Sequence, residues 1–173
     1  ERFTKLYKIL SQLDEDNERN LEENRNNRKR FILAVSRFSD TFDKGLWESV
    51  VTDCVISIES LLVSTHAGGA LLLALIASNL LGKSPSGSEE VFENVRRMYK
   101  IRNSYVHGDP LSEDQWESLL HEVSQTAGYD QEYCEGGVRE YAIEVIRDYA
   151  RRVIAASLCL YKNEGITPSG QLT

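Results

Sequence analysis

Residues Trp47–Leu62 read WESVVTDCVISIESLL. Trp47, Val50, Val51, Cys54, Val55, Ile58, Leu61 and Leu62 recur at spacings of three and four, which places them on one broad face of a helix. This is the clearest periodic segment of the chain. A helix with so wide an apolar face belongs at the centre of a bundle, with other helices packed around it. Glu59 stands beside the densest apolar ridge. Spacing alone favours an exposed carboxylate on the far side, the alternative being a carboxylate paired with a cation.

Downstream, His66-Ala67-Gly68-Gly69 reads as a turn, with His66 a loop residue. Ala70–Leu81 is apolar nearly all round and predicts a buried helix; its twelve residues are too few for a bilayer, which takes about twenty. Residues 82–87 read as a loop, and Ser88-Glu89-Glu90 as an N-cap with acids in the first turn. Val91, Phe92, Val95, Met98, Tyr99, Tyr105 and Val106 carry that helix to His107, where Gly108 and Pro110 close it. Ser112 and Gln115 fit a capping box ahead of the stripe Trp116, Leu119, Leu120 and Val123, and Gly128 stops that helix. Residues 129–137 read as a loop. The last helix runs from about Val138 to Tyr161, with Arg147, Arg151 and Arg152 clustered on it.

Upstream, Phe31, Val35, Phe38 and Phe42 form a helical stripe that Lys44 and Gly45 end. Phe3, Leu6, Tyr7, Leu10 and Leu13 mark a separate amphipathic helix. The charged run between them is either a solvated helix or a linker. No segment alternates with period two. The expectation is an all-α fold, an antiparallel helical bundle of about five or six helices. Residues 1–29 form an N-terminal arm or linker, 30–162 the bundle and 163–173 a flexible tail.

The 173 residues suit one domain, and 41% hydrophobic with 27% charged residues is an ordinary globular balance. Cys54, Cys134 and Cys159 lack the paired spacing of a zinc site and read as reduced thiols of a cytoplasmic protein. The three histidines show no metal-ligand spacing either, so neither metal nor cofactor is expected. No signal peptide or membrane span is visible. The chain opens on Glu1 rather than Met, which we read as a piece of a longer protein with an additional domain outside it. A net charge of −7 argues against indiscriminate nucleic-acid binding. The distribution is uneven, however. Residues 14–23 hold six acids and one Arg, whereas residues 25–30 and 96–102 hold four cations each and no acid. Such runs are ordinarily solvated helix faces, but a basic patch on an acidic body can also hold a polyanion locally.

The second basic run leads into Tyr99-Lys100-Ile101-Arg102-Asn103-Ser104-Tyr105-Val106-His107-Gly108. Metal-free RNA cleavage needs a group that takes a proton from the 2′-hydroxyl, one that gives a proton to the departing 5′-oxygen, and a cation on the phosphorane. Histidine suits the proton transfers and arginine the phosphate. Arg102 and His107 lie about 140° apart on a helix, whereas Asn103 and His107 share a face. His107 stands in the last predicted turn, where the helix dipole favours a cation. One chain offers one such His, so separate acid and base roles call for a two-fold dimer. On spacing alone, a C-capping His107 and an ion-paired Arg102 explain the pair better.

The segment Tyr99-x-x-Arg102-Asn103-x-x-Val106-His107-Gly108 resembles the signature of HEPN domains, the Apea-like branch in particular. Two upstream stretches resemble that branch in the same order: Arg37-Phe38, then Ile58-Glu59-Ser60-Leu61. The chain departs from it at Ile76, where an Arg often stands, and at Gly108-Asp109, which lacks the Tyr found after the His in toxins silenced by nucleotidylation. The resemblance implies a helical bundle that homodimerises through its motif helix. It implies a metal-independent endoribonuclease of a defence or toxin–antitoxin system, or else a non-catalytic RNA-binding or dimerisation module. Carried over by residue, Arg102 and His107 are the candidate catalytic pair and Asn103 the orienting residue. Arg96, Arg97 and Lys100 are candidates for RNA binding. Glu59 becomes the expected partner of an Arg, reversing the exposed reading.

Overall fold

The structure, a computed structural model, describes residues 21–63, 69–109, 111–128 and 137–164. These form six helices: α1 (Leu21–Asp40), α2 (Trp47–Leu62), α3 (Gly69–Leu81), α4 (Pro85–His107), α5 (Glu113–Thr126) and α6 (Val138–Glu164). No strand occurs among the described residues, and the fold is an all-α helical bundle. The expected helix over residues 3–13, the His66 turn, Pro110, Cys134, most of the 129–137 loop and residues 165–173 lie outside the described residues, while 163 and 164, expected in the tail, continue α6.

α2 is the central helix. Val50, Val51, Cys54, Val55, Ile58, Leu61 and Leu62 are all buried, and α2 packs against α1, α3, α4 and α6. α1 runs antiparallel to it, with Arg37 beside Asp53, the buried Ser57 Oγ donating to Ala34 O at 2.8 Å, and Arg30 at Ser60 and Leu61. Ala34 is fully buried, so a small side chain lets the two backbones approach. The Asp53 carboxylate is 3% exposed and holds both Arg37 and Lys44, which offsets its desolvation.

Three arginines close helix C-termini on neighbouring helices. Arg30 of α1 donates to Ser60 O at 2.6 Å and Leu61 O at 3.1 Å. Arg147 of α6 donates to Thr41 O at 2.6 Å, just past α1, and Arg152 of α6 to Leu81 O at 2.9 Å. The last carbonyls of a helix have no partner within it, and a cation there also meets the negative end of the dipole.

Several boundaries differ from the sequence reading. Residues 21–30 of the charged run are helical and continuous with the Phe31–Phe38 stripe across the expected boundary at 29/30. α4 starts at Pro85 rather than near Ser88. Ser84 is its N-cap, accepting from Gly87 N at 3.1 Å, and Pro85 occupies the first turn, where its missing N–H costs nothing. Gly82 makes this hairpin possible: a Cβ there would meet Ser88 Oγ at 2.1 Å and Ser78 O at 2.6 Å. α3 is not buried all round. It packs mainly on α4, so Leu73, Ala74, Ala77 and Leu81 are buried while Leu71, Leu72 and Leu75 face outward. α5 has the expected capping box, Gln115 N to Ser112 Oγ at 3.3 Å and Ser112 N to Gln115 Oε1 at 3.1 Å. No helix among the described residues is long and apolar enough to cross a membrane.

Burial, opposed by Arg147 and reinforced by Asp53 and Glu144, pushes the Cys54 thiol up from its ordinary 9.0 to about 12. A thiol that ionises less readily when folded contributes stability that is complete below pH 9 and is lost as pH rises from 9 toward 12. Urea unfolding at pH 8 and pH 10 should show wild type losing about 1 kcal/mol more than Cys54→Ala over that interval.

Candidate functional site

The rotation of α4 decides which residues of the motif meet solvent, and a buried asparagine fixes it. Asn94 is fully buried; its Nδ2 donates to Tyr149 Oη at 3.1 Å and its Oδ1 accepts from Arg97 Nη1 at 3.0 Å. Tyr149 Oη donates onward to Glu90 at 2.8 Å, and Arg97 Nε to Glu122 on α5 at 2.8 Å. Burial pushes the Tyr149 phenol well up, so it stays a donor. With Val91, Val95, Met98 and Ile101 in the core, this network pins α4 against α5 and α6.

At about 100° per residue, Arg96, Lys100, Asn103 and His107 then fall within a narrow sector on the opposite side. Arg96, Lys100 and His107 are exposed and Asn103 half-buried. His107 makes no hydrogen bond or ion pair with the described residues. Arg96 lies over the Phe92 ring at 5.6 Å and 3.3 Å from Glu93. Arg97 is not on this face: its bonds to Asn94 and Glu122 turn it into the α4–α5 contact, and of the three cations expected to meet RNA it is the one engaged in packing.

Arg102 points the other way, toward α2. Its Nη2 lies 3.5 Å from Glu59 Oε2, its Nη1 donates to Asn103 Oδ1 at 2.9 Å, and its Cζ sits 5.5 Å from the centre of the Tyr99 ring. Glu59, expected to be exposed by spacing and paired by resemblance, is half-buried and faces Arg102. Arg102 and His107 therefore do not share a face within one chain. Tyr99 supports the guanidinium, a role the sequence reading did not assign; the signal was its i, i+3 spacing to Arg102.

α4 ends differently from α1, α2 and α3. Gly108 adopts the left-handed conformation, φ 71°, and its N–H reaches Ser104 O, as does Asp109 N at 3.1 Å. No arginine of the described residues covers this end. Tyr105 and Val106 in its last turn are 44% and 51% exposed. Elsewhere, His121 lies in an open cleft of about 700 Å³ between α5 and the start of α6, beside Trp47 and Arg139. Arg139 is tied there to Glu113 and Glu117. No group of three His, Cys, Asp or Glu side chains among the described residues is placed to hold a metal ion.

The chain matches no family model, no curated protein and no solved structure.

Asn94→Leu removes two buried hydrogen bonds while keeping the volume close, and should lower the unfolding free energy by about 1–3 kcal/mol. Thermal unfolding followed by circular dichroism reads the effect.

Proposed function

We propose that this chain is a HEPN-type RNA-directed domain of the Apea-like branch, acting as a homodimeric, metal-independent endoribonuclease of a defence or toxin-like system. The observation that carries the reading is the outward face of α4. It presents His107, Asn103, Lys100 and Arg96 together, beside the exposed apolar pair Tyr105 and Val106. Arg96 and Lys100 hold the RNA backbone; Arg97 belongs to packing. The reading places the domain in the cytoplasm, where Cys54 and Cys159 stay thiols.

The geometry of the pair supports a dimer. One chain supplies one motif histidine, and its Arg102 lies about 140° around the helix from it. A two-fold axis beside the α4 ends covers Tyr105 and Val106 with their own copies and brings two histidines to one cleft. There His107 accepts the proton of the 2′-hydroxyl as its oxygen bonds to phosphorus. The partner's His107 gives a proton to the 5′-oxygen as the P–O5′ bond breaks. Arg102 meets the charge on the phosphorane, and the products are a 2′,3′-cyclic phosphate and a 5′-hydroxyl.

A second reading is a non-catalytic RNA-binding or dimerisation module. It is favoured by the engagement of Arg102 with Glu59 and Asn103.

Incubation of the purified chain with single-stranded RNA in EDTA separates the two. The enzyme reading expects cleavage that His107→Ala reduces by at least about a hundredfold. Intact RNA at high concentrations of wild type would leave the module reading. Sedimentation should give a dimer that Val106→Glu converts to a monomer; a monomeric wild type at tens of micromolar would sink the composite site.

A further inference from the structure

Arg102 occupies a poorly satisfied position. Its contact to Glu59, at 3.5 Å, is long for a charge-assisted hydrogen bond, and both side chains are partly open to water, 22% and 30% exposed. Its Nε is buried and has no acceptor among the described residues. An unmatched buried donor loses its water without compensation, so this arrangement is only weakly preferred. The good bond is the one to Asn103, whose side chain lies on the same side of α4 as His107. The guanidinium thus has one hand on the outward face and the other on a carboxylate of α2.

We propose that Glu59 sets the affinity for RNA by competing with the phosphate for Arg102. In the free chain the guanidinium rests on Glu59 over Tyr99. When RNA binds, it turns about the Asn103 contact of Nη1 and presents Nη2, the group that faces Glu59, to a phosphate. A guanidinium fork fits either anion, so the two exclude each other at the donors they share. Glu59 is then a positioning residue that withholds Arg102 rather than one that aims it. The fraction of chains with Arg102 released scales the apparent affinity. This inference rests on the reading of α4 as an RNA-binding face.

A double-mutant cycle tests it, with the full chain and a fluorescein-labelled single-stranded 2′-O-methyl RNA, which lacks the attacking hydroxyl. Anisotropy titrations compare wild type, Glu59→Gln, Arg102→Ala and the double variant. Glu59→Gln should tighten binding by about two- to fivefold, the size expected when a half-exposed ion pair is removed. In the Arg102→Ala background the same change should have no effect. Equal tightening in both backgrounds would mean that Glu59 acts only as a nearby negative charge, and weakened binding would mean that it aims Arg102; either overturns the proposal. Glu59→Ser repeats the cycle without the glutamine amide, with matched circular dichroism spectra as the check of folding. Wild type and Arg102→Ala binding equally well would remove Arg102 from RNA contact and end the proposal, leaving the RNA-binding face standing. No binding by wild type would end both.

Discussion

Helix C-termini brought into a packed bundle must have their last carbonyls satisfied, and here arginines from neighbouring helices do it. Arg30 holds the end of α2, Arg147 the carbonyl just past α1, and Arg152 the end of α3. Each contact joins residues at least 30 positions apart, one on a helix and the other at or just past the end of another, so each also fixes how one helix slides along another. Burial draws the Arg30 guanidinium down from its ordinary range, the sign of a charge taken from water for a structural contact. The Asp53 carboxylate between Arg37 and Lys44 fastens the other end of the α1–α2 pair. The apolar stripe of α2 supplies most of the attraction, and these polar contacts select one register for it.

α4 stands apart within this scheme. Its end is closed by its own Gly108, not by an arginine of the other described residues, and Tyr105, Val106 and His107 in its last turn are exposed. Its rotation is set four turns earlier by Asn94. The division between an outward His107 and an inward Arg102 is therefore fixed far from either residue, by a hydrogen-bond network that includes no residue of the motif.

The helices were legible where one face is buried and the other wet. The α2 stripe, the α5 capping box and the α4 stop at Gly108 follow local rules that a single helix obeys by itself. The start of α4 was hidden because Ser84-Pro85-Ser86-Gly87 carries both helix-start and loop chemistry, and only the close approach of Gly82 to Ser88 settles which one applies. The outward leucines of α3 were unreadable because an all-apolar helix does not reveal how many neighbours it has. In the site, the angle between Arg102 and His107 was available from helix geometry. The company of Glu59 was not: its spacing spoke for water, and a residue forty-three positions away decided otherwise. Arg97 could not be told from Arg96 by composition, since their fates differ only through Glu122 and Asn94.

The arginine closures also alter how the molecule looks from outside. Arg30, Arg147 and Arg152 count toward the basic total of the chain, yet their charge is directed into helix ends that carry partial negative charge. Their charge is met locally by the carbonyls there, while the field at a distance remains that of a net charge of −7. To an approaching polyanion the chain as a whole is repulsive, and a window of attraction opens only where exposed cations gather, as Arg96 and Lys100 do. Added salt would widen that window even as it weakens the attraction within it.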